Sequence, residues 1–304
     1  MRRSELGRSD HINETWAIGP DPHVPSDPVW SGSPTLPPEP HPEADEQLRD
    51  RSAAMFQPQV PDPHISPAMK HALLQLRDRL ERLGQVSDIQ FSLPRSGRTL
   101  RILQAASIDQ WLDAVEHDPE QNLPYWAELW PSGIALAGAL LEQRDTLKGK
   151  RTLEIGSGLG VTAAAAIAAG ARLTVTDYSP TSLLFCRYNT LRNTGRQPRT
   201  FQFNWRRPSK ALLDDAGTGF DAILAADILY ESRDAVPVME LIDRLIAPTG
   251  IFWLAEPGRP VALRFLDALL EAGWSGIVEQ FEGPWHDPKD VGVRVRIHWL
   301  RRGK

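Results

Sequence analysis

Cysteine is almost absent from the sequence. The one residue, Cys186, cannot form an internal disulfide, and there is no Cys cluster to hold zinc, so no metal is expected. Long apolar runs are also missing. The most apolar stretch, Val161 to Ala169, is rich in alanine and about half the roughly 20 residues a membrane span needs. No apolar segment follows Met1-Arg2-Arg3, and the acidic residues beyond it disfavour a transit peptide. A cytoplasmic location, with no membrane contact, is therefore the expectation. Positive charge is not in excess, with 34 Lys+Arg against 39 Asp+Glu and a net charge of −5. That balance argues against nucleic-acid binding driven by bulk charge. What is present is 304 residues of which 41% are hydrophobic, ample for a buried core.

The composition changes near residue 66. Of 26 prolines, 13 fall in residues 1–67, with 5 basic and 11 acidic side chains. Segments such as Pro37-Pro38-Glu39-Pro40-His41-Pro42 lack donors and apolar periodicity, so residues 1–65 read as a disordered, Pro-rich acidic tail. Trp16, Trp30 and Phe56 are isolated aromatics in it. They either stay exposed or belong to a segment that folds over a site.

Periodic order begins at Ser66-Pro67. Ser66 can cap a helix, Pro67 suits its first turn and Gly84 can end it. Met69, Ala72, Leu73, Leu76, Leu80 and Leu83 give that helix one apolar face. Ile89, Phe91 and Leu93, a Pro-Arg-Ser-Gly turn, and Leu100, Ile102 and Leu103 predict a β-hairpin. Asp109 to Val115 reads as a short helix and Ile134 to Leu141 as an apolar one. Residues 66–146 thus form a helix, a hairpin and an aromatic helix packed on the core.

From Leu147 strands and helices alternate. Strands are expected over Arg151–Ile155, Arg172–Thr176, Thr200–Asn204, Asp221–Ala226 and Gly250–Ala255. Helices are expected over Val161–Ala169, from Ser179-Pro180, and over Val236–Ile246 and Val261–Ala272. Ile277–Phe281 and Val291–Leu300 read as a closing antiparallel pair. This alternation predicts an α/β fold whose mostly parallel sheet is covered by helices on both faces. Such sheets bind ligands at the carboxyl ends of their strands, near the point where strand order reverses.

Four segments carry chemistry. Glu154-Ile155-Gly156-Ser157-Gly158-Leu159-Gly160 ends a strand and opens a helix, where glycine lets a ligand approach the backbone and free N–H groups favour an acidic group. Val161 stands where the dinucleotide fingerprint needs glycine. Asp177 ends the next strand and can accept hydrogen bonds from both hydroxyls of a ribose, or merely start the following turn. Asp227 ends a third strand, with Tyr230 three residues on. Tyr125, Trp126 and Trp130, just before the first core strand, either pack the core or wall a flat or cationic ligand, and Trp205 permits the same two readings. Arg259, in Glu256-Pro257-Gly258-Arg259-Pro260, either binds an acidic group or caps a surface loop. His286-Asp287 reads as loop.

Together these segments resemble the class I S-adenosylmethionine-dependent methyltransferases, with Glu154 to Gly160 as the first motif and Asp177 as the acidic ribose ligand. Pro124-Tyr125-Trp126-Ala127-Glu128-Leu129-Trp130-Pro131-Ser132-Gly133 and Asp227-Ile228-Leu229-Tyr230 resemble the seven-strand protein-lysine methyltransferase group. The branch with electron-transfer-flavoprotein lysine methyltransferases, whose bacterial members are often labelled predicted nicotinamide N-methylases, is particularly similar. The resemblance covers about Ser87 to Leu300. It implies a seven-stranded Rossmann-like sheet with an antiparallel last strand, and residues 147–304 as the S-adenosylmethionine-binding domain. It further implies a cofactor site of Glu154, Gly156, Gly158, Gly160, Asp177, Trp205, Trp126, Trp130 and Asp227, with Asp227 and Tyr230 facing the acceptor amine. The implied function is methylation of a protein lysine. A small-molecule N-methyltransferase and, more distantly, an NAD-dependent oxidoreductase are the alternatives.

Overall fold

The computed structural model describes residues 66–303 except 113–117, 119, 121 and 209. The expected tail and the later part of the Asp109–Val115 helix lie outside the described residues. Residues 109–112 form a 3₁₀ turn. The described residues all fall in one compact unit.

Helix α1 (Pro67–Leu83) starts as the sequence predicts, with Pro67 in the first turn and the Ser66 hydroxyl accepting the Met69 N–H at 3.2 Å. Gly84 ends it for a different reason from a left-handed cap. Its backbone is extended, and a Cβ there would meet the Gln110 side chain at 2.5 Å. The hairpin pairs β1 (Val86–Ser92) with β2 (Thr99–Ala105), Val86 opposite Ala105 and Ser92 opposite Thr99. Helix α2 (Pro131–Glu142) follows the aromatic segment and is almost wholly buried.

The core then runs β3 (Arg151–Ile155), α3 (Val161–Ala168), β4 (Arg172–Asp177), α4 (Pro180–Thr194), β5 (Arg199–Gln202), α5 (Lys210–Ala216), β6 (Phe220–Ala226), α6 (Ala235–Leu245), β7 (Ile246–Glu256), α7 (Pro260–Glu271), β8 (Trp274–Phe281) and β9 (Val295–Arg302). The sheet has seven strands in the order β5-β4-β3-β6-β7-β9-β8. The pairs from β5 through β7 are parallel, and β9 runs antiparallel to both neighbours. This is the expected Rossmann-like sheet with its last strand reversed. Two apolar layers cover its faces. One contains α1, the hairpin, α2, α3 and α4, and the other contains α5, α6 and α7. The alanines of α3 let it lie close to α2 and α4, and all of Val161 to Ile167 is buried.

Boundaries differ where tertiary contacts override the local pattern. Strand β9 begins at Val295 rather than Val291, because the Trp285 indole donates to the Val293 carbonyl at 2.8 Å and holds that stretch as a loop. Strand β5 ends at Gln202, and Asn204 turns back to bridge Arg207. Helix α5 had no expectation, since seven residues are too few for periodicity to show.

Candidate active site

Strand order reverses between β3 and β6, and the carboxyl ends of β3, β4, β5 and β6 meet one cavity of about 450 Å³. That volume suits a small-molecule or cofactor site. Its lining includes Gly156, Gly158, Asp177, Trp205, Asp227 and Tyr230 from the sheet edge, and Tyr125, Trp126 and Trp130 from the segment before α2.

The turn after β3 is clamped to β4, because the Thr176 carbonyl accepts from Gly156 at 2.9 Å and Ser157 at 3.1 Å. Gly158 has φ +48°, and a Cβ there would touch only the Trp126 carbonyl oxygen at 3.6 Å. Gly160 has a different task. A Cβ on it would meet Cys186 Cα at 2.8 Å, so this glycine lets α3 lie against α4 and does not line the cavity. Glu154 does not line the cavity either. It is buried beneath the turn, and burial first, then the Asp177 charge, pushes its pKa well up.

Asp177 ends β4 with both carboxylate oxygens engaged, Oδ2 by the Gly158 N–H and Oδ1 by the Ser179 N–H, each at 2.9 Å. It therefore ties the glycine turn to the start of α4 while still lining the cavity. Burial raises its pKa despite these hydrogen bonds.

The floor near β5 is a polar network. Asp234 accepts from the Trp205 indole at 2.7 Å and from Arg206 Nε at 2.6 Å. Arg206 also reaches Glu120 at 2.8 Å, and Asn204 donates to the same carboxylate at 3.1 Å. Asp118 accepts from the Tyr178 hydroxyl. Burial raises the Tyr178 pKa, and the bond to Asp118 adds to it, taking it up to about 12.

The opposite wall is aromatic. Tyr125 meets Tyr230 edge-on at 5.0 Å and Trp130 at 6.0 Å, and Trp126 packs edge-on against Trp111 at 5.2 Å. Burial first, then the charges of Asp234 and Asp177, raises the Tyr230 pKa, so Tyr230 is a neutral phenol at ordinary pH. Asp227 sits just past β6 in a left-handed conformation, φ +54°, its N–H bonded to the Ala255 carbonyl at 2.9 Å. Arg259 is not a free surface group, for it forms a bidentate pair with Asp227. The lining carries the carboxylates of Asp118, Glu128, Asp177 and Asp227 and the guanidinium of Arg206, with Asp227 paired to Arg259 and Glu128 to Lys289 at 3.2 Å.

A methyltransferase-domain family profile matches residues 153–252, which run from within β3 to within β7 and include the ends of β3, β4, β5 and β6 at this cavity. Residues 153–252 therefore carry a methyltransferase domain. The chain is 32% identical over 146 residues to the electron transfer flavoprotein beta subunit lysine methyltransferase of Rattus norvegicus, covering 45% of this chain and 52% of that protein. It is 30% identical over 138 residues to the histone-arginine methyltransferase METTL23 of Xenopus laevis, covering 43% and 57%. It is 31% identical over 139 residues to the protein-lysine methyltransferase METTL21E of Bos taurus, covering 43% and 48%. The chain thus spans about half the length of the curated relatives it matches. A methyltransferase domain replaces the oxidoreductase alternative, in keeping with valine at position 161.

Several residues that line the cavity were not expected from the sequence. Tyr178 and Arg206 each neighbour an expected residue in the chain, which was a usable signal. Asp118 and Asn122 come from a stretch without pattern, and nothing in the sequence marked them.

Proposed function

We propose that the chain is an S-adenosylmethionine-dependent N-methyltransferase that methylates a lysine side chain of a protein. The observation that carries this reading is Asp227 and Tyr230 lining the same cavity as Gly156, Gly158 and Asp177. The residues fit the cofactor. Gly158 has no side chain to crowd the turn, a Cβ there coming within 3.6 Å of the Trp126 carbonyl oxygen, and Asp177 lines the cavity with a carboxylate able to accept from a ribose hydroxyl. Gly156, Gly158 and Asp177 would hold the nucleoside, with Trp205 beside the base and Trp126 and Trp130 toward the methionine part.

When bound, S-adenosylmethionine supplies an activated methyl group, whose carbon–sulfur bond breaks with its electron pair left on sulfur as a carbon–nitrogen bond forms. The protein must present a nitrogen with a free lone pair in line with that bond. A lysine ammonium has none, so its proton must leave to solvent first, and burial near positive charge favours that loss. Asp227 then orients the amine by accepting an N–H. Tyr230, held neutral, shapes the slot and does not act as a base. Relatives named for lysine methylation support a protein lysine as acceptor.

The test is transfer of labelled methyl from S-adenosylmethionine into a cell extract split by size. Label in the macromolecular fraction, released as methyl-lysine on hydrolysis, is the expected result. Label confined to small molecules would overturn the protein acceptor in favour of a small-molecule amine.

A further inference from the structure

Arg259 stands on the turn between β7 and α7, and the proposed function leaves it unused. Its Nε donates to Asp227 Oδ1 at 2.6 Å and its Nη2 to Oδ2 at 3.1 Å. The Asp227 side chain is 5% exposed and that of Arg259 36%. The turn is built to hold this arginine. Glu256, 1% exposed, accepts the Gly258 N–H at 2.5 Å and is itself fixed by Arg296 at 2.7 Å and His298 at 3.2 Å. The guanidinium carbon lies 5.8 Å from the centre of the Trp130 ring. A loop-capping arginine needs neither an aromatic face nor a buried carboxylate.

The consequence is a matter of charge. Asp227 alone would be the natural counter-ion of an ammonium. A guanidinium never loses its proton, and here its fork spans both oxygens, so the carboxylate is already neutralised. The other groups facing this pair are the phenols of Tyr125 and Tyr230 and the carboxylate of Asp290 from the loop before β9. A carboxylate has about four lone-pair sites and the fork uses two. A neutral amine can still donate to Asp227, whereas an ammonium in the same place meets a second cation.

We propose that Arg259 is a positioning residue that makes the acceptor slot select an uncharged nitrogen, by neutralising Asp227 while leaving it able to accept one hydrogen bond. This rests on Asp227 being the acceptor-side carboxylate of the proposed methyltransferase. The same pair disfavours the methylated product, which carries a positive charge, and so assists its release.

Two probes test this on the full chain without knowing the acceptor. S-Adenosylhomocysteine has no group at the methyl position, and sinefungin carries a primary amine there. At pH 6.5 that amine is an ammonium, and calorimetry gives the affinity ratio of the two compounds. Freeing an opposite charge within about 4–6 Å stabilises a cation by one pKa unit or more, so Arg259→Gln is expected to shift the ratio toward sinefungin by at least about tenfold. Arg259→Lys keeps the charge and is expected to keep the wild-type ratio. In the wild type itself the ratio should move toward sinefungin as pH rises and the amine loses its proton. An unchanged ratio in Arg259→Gln, a lysine variant that behaves like the glutamine one, or a wild-type ratio flat with pH would each overturn the proposal. Failure of the wild type to bind either compound would instead overturn the cofactor reading beneath it.

Discussion

Asp177 joins the Gly158 turn to the start of α4 and, in the proposed site, also takes a ribose. Asp177→Asn preserves the shape but sets an amide N–H against a backbone N–H. Affinity for S-adenosylhomocysteine, measured by calorimetry, is expected to fall at least about tenfold, the loss of one charge-assisted hydrogen bond. Asp227→Asn acts on the other side of the cavity. It should cut methyl transfer about 100-fold, the scale of an orienting polar group, with S-adenosylhomocysteine affinity within a few-fold of wild type. Glu154 bears on stability instead. Burial raises its folded pKa well above 4.5, so the unfolded chain ionises first and stability falls as pH rises from about that value toward the folded pKa. Glu154→Gln removes the titration. It should raise the melting temperature at pH 7 relative to wild type and give no such gain at pH 4.

Helix α4 shows what an element can do that its sequence does not announce. Asn189 accepts the Leu103 N–H at 2.8 Å and donates to the carbonyls of Leu103 and Leu159, both at 2.9 Å. Asn193 repeats the pattern on Arg101, accepting its N–H at 2.9 Å and donating to its carbonyl at 2.8 Å. The match is geometric. Four helical residues rise about 6 Å and two strand residues about 6.7 Å, so asparagines at i and i+4 meet alternate residues of β2. They satisfy strand groups on the edge of β2 away from β1. Asn189→Ala is expected to cost about 2–4 kcal/mol in denaturant unfolding, because it leaves buried backbone groups unpaired. The hairpin and the helix were each legible, one from alternation and the other from the Ser179-Pro180 start. Their docking was not, since an asparagine in a helix carries no local sign of a strand 86 residues away.

At the scale of the whole molecule, the sequence showed the strand ends and therefore most of the cavity. Gly156, Gly158, Asp177, Trp205, Asp227 and Tyr230 each follow or end a strand, and a parallel sheet brings such positions to one edge. Arg259 and Asp118 were harder to read, because their roles depend on where loops distant in sequence come to rest. Glu154 and Gly160 belong to the recognisable glycine motif, yet the structure gives them to the layer beneath the cavity. The described fold closes its own core from Ser66 onward. A chain begun at Ser66 is accordingly expected to unfold cooperatively at the temperature of the full chain, as read by circular dichroism.

One cavity serving both cofactor and acceptor is the central claim. A structure of the full chain with S-adenosylhomocysteine bound tests it most directly. The expected result is ribose hydroxyls within hydrogen-bond distance of Asp177 and the sulfur turned toward Asp227 and Tyr230. A ligand bound away from the Gly156–Gly158 turn, or with its sulfur directed away from Asp227, would contradict it.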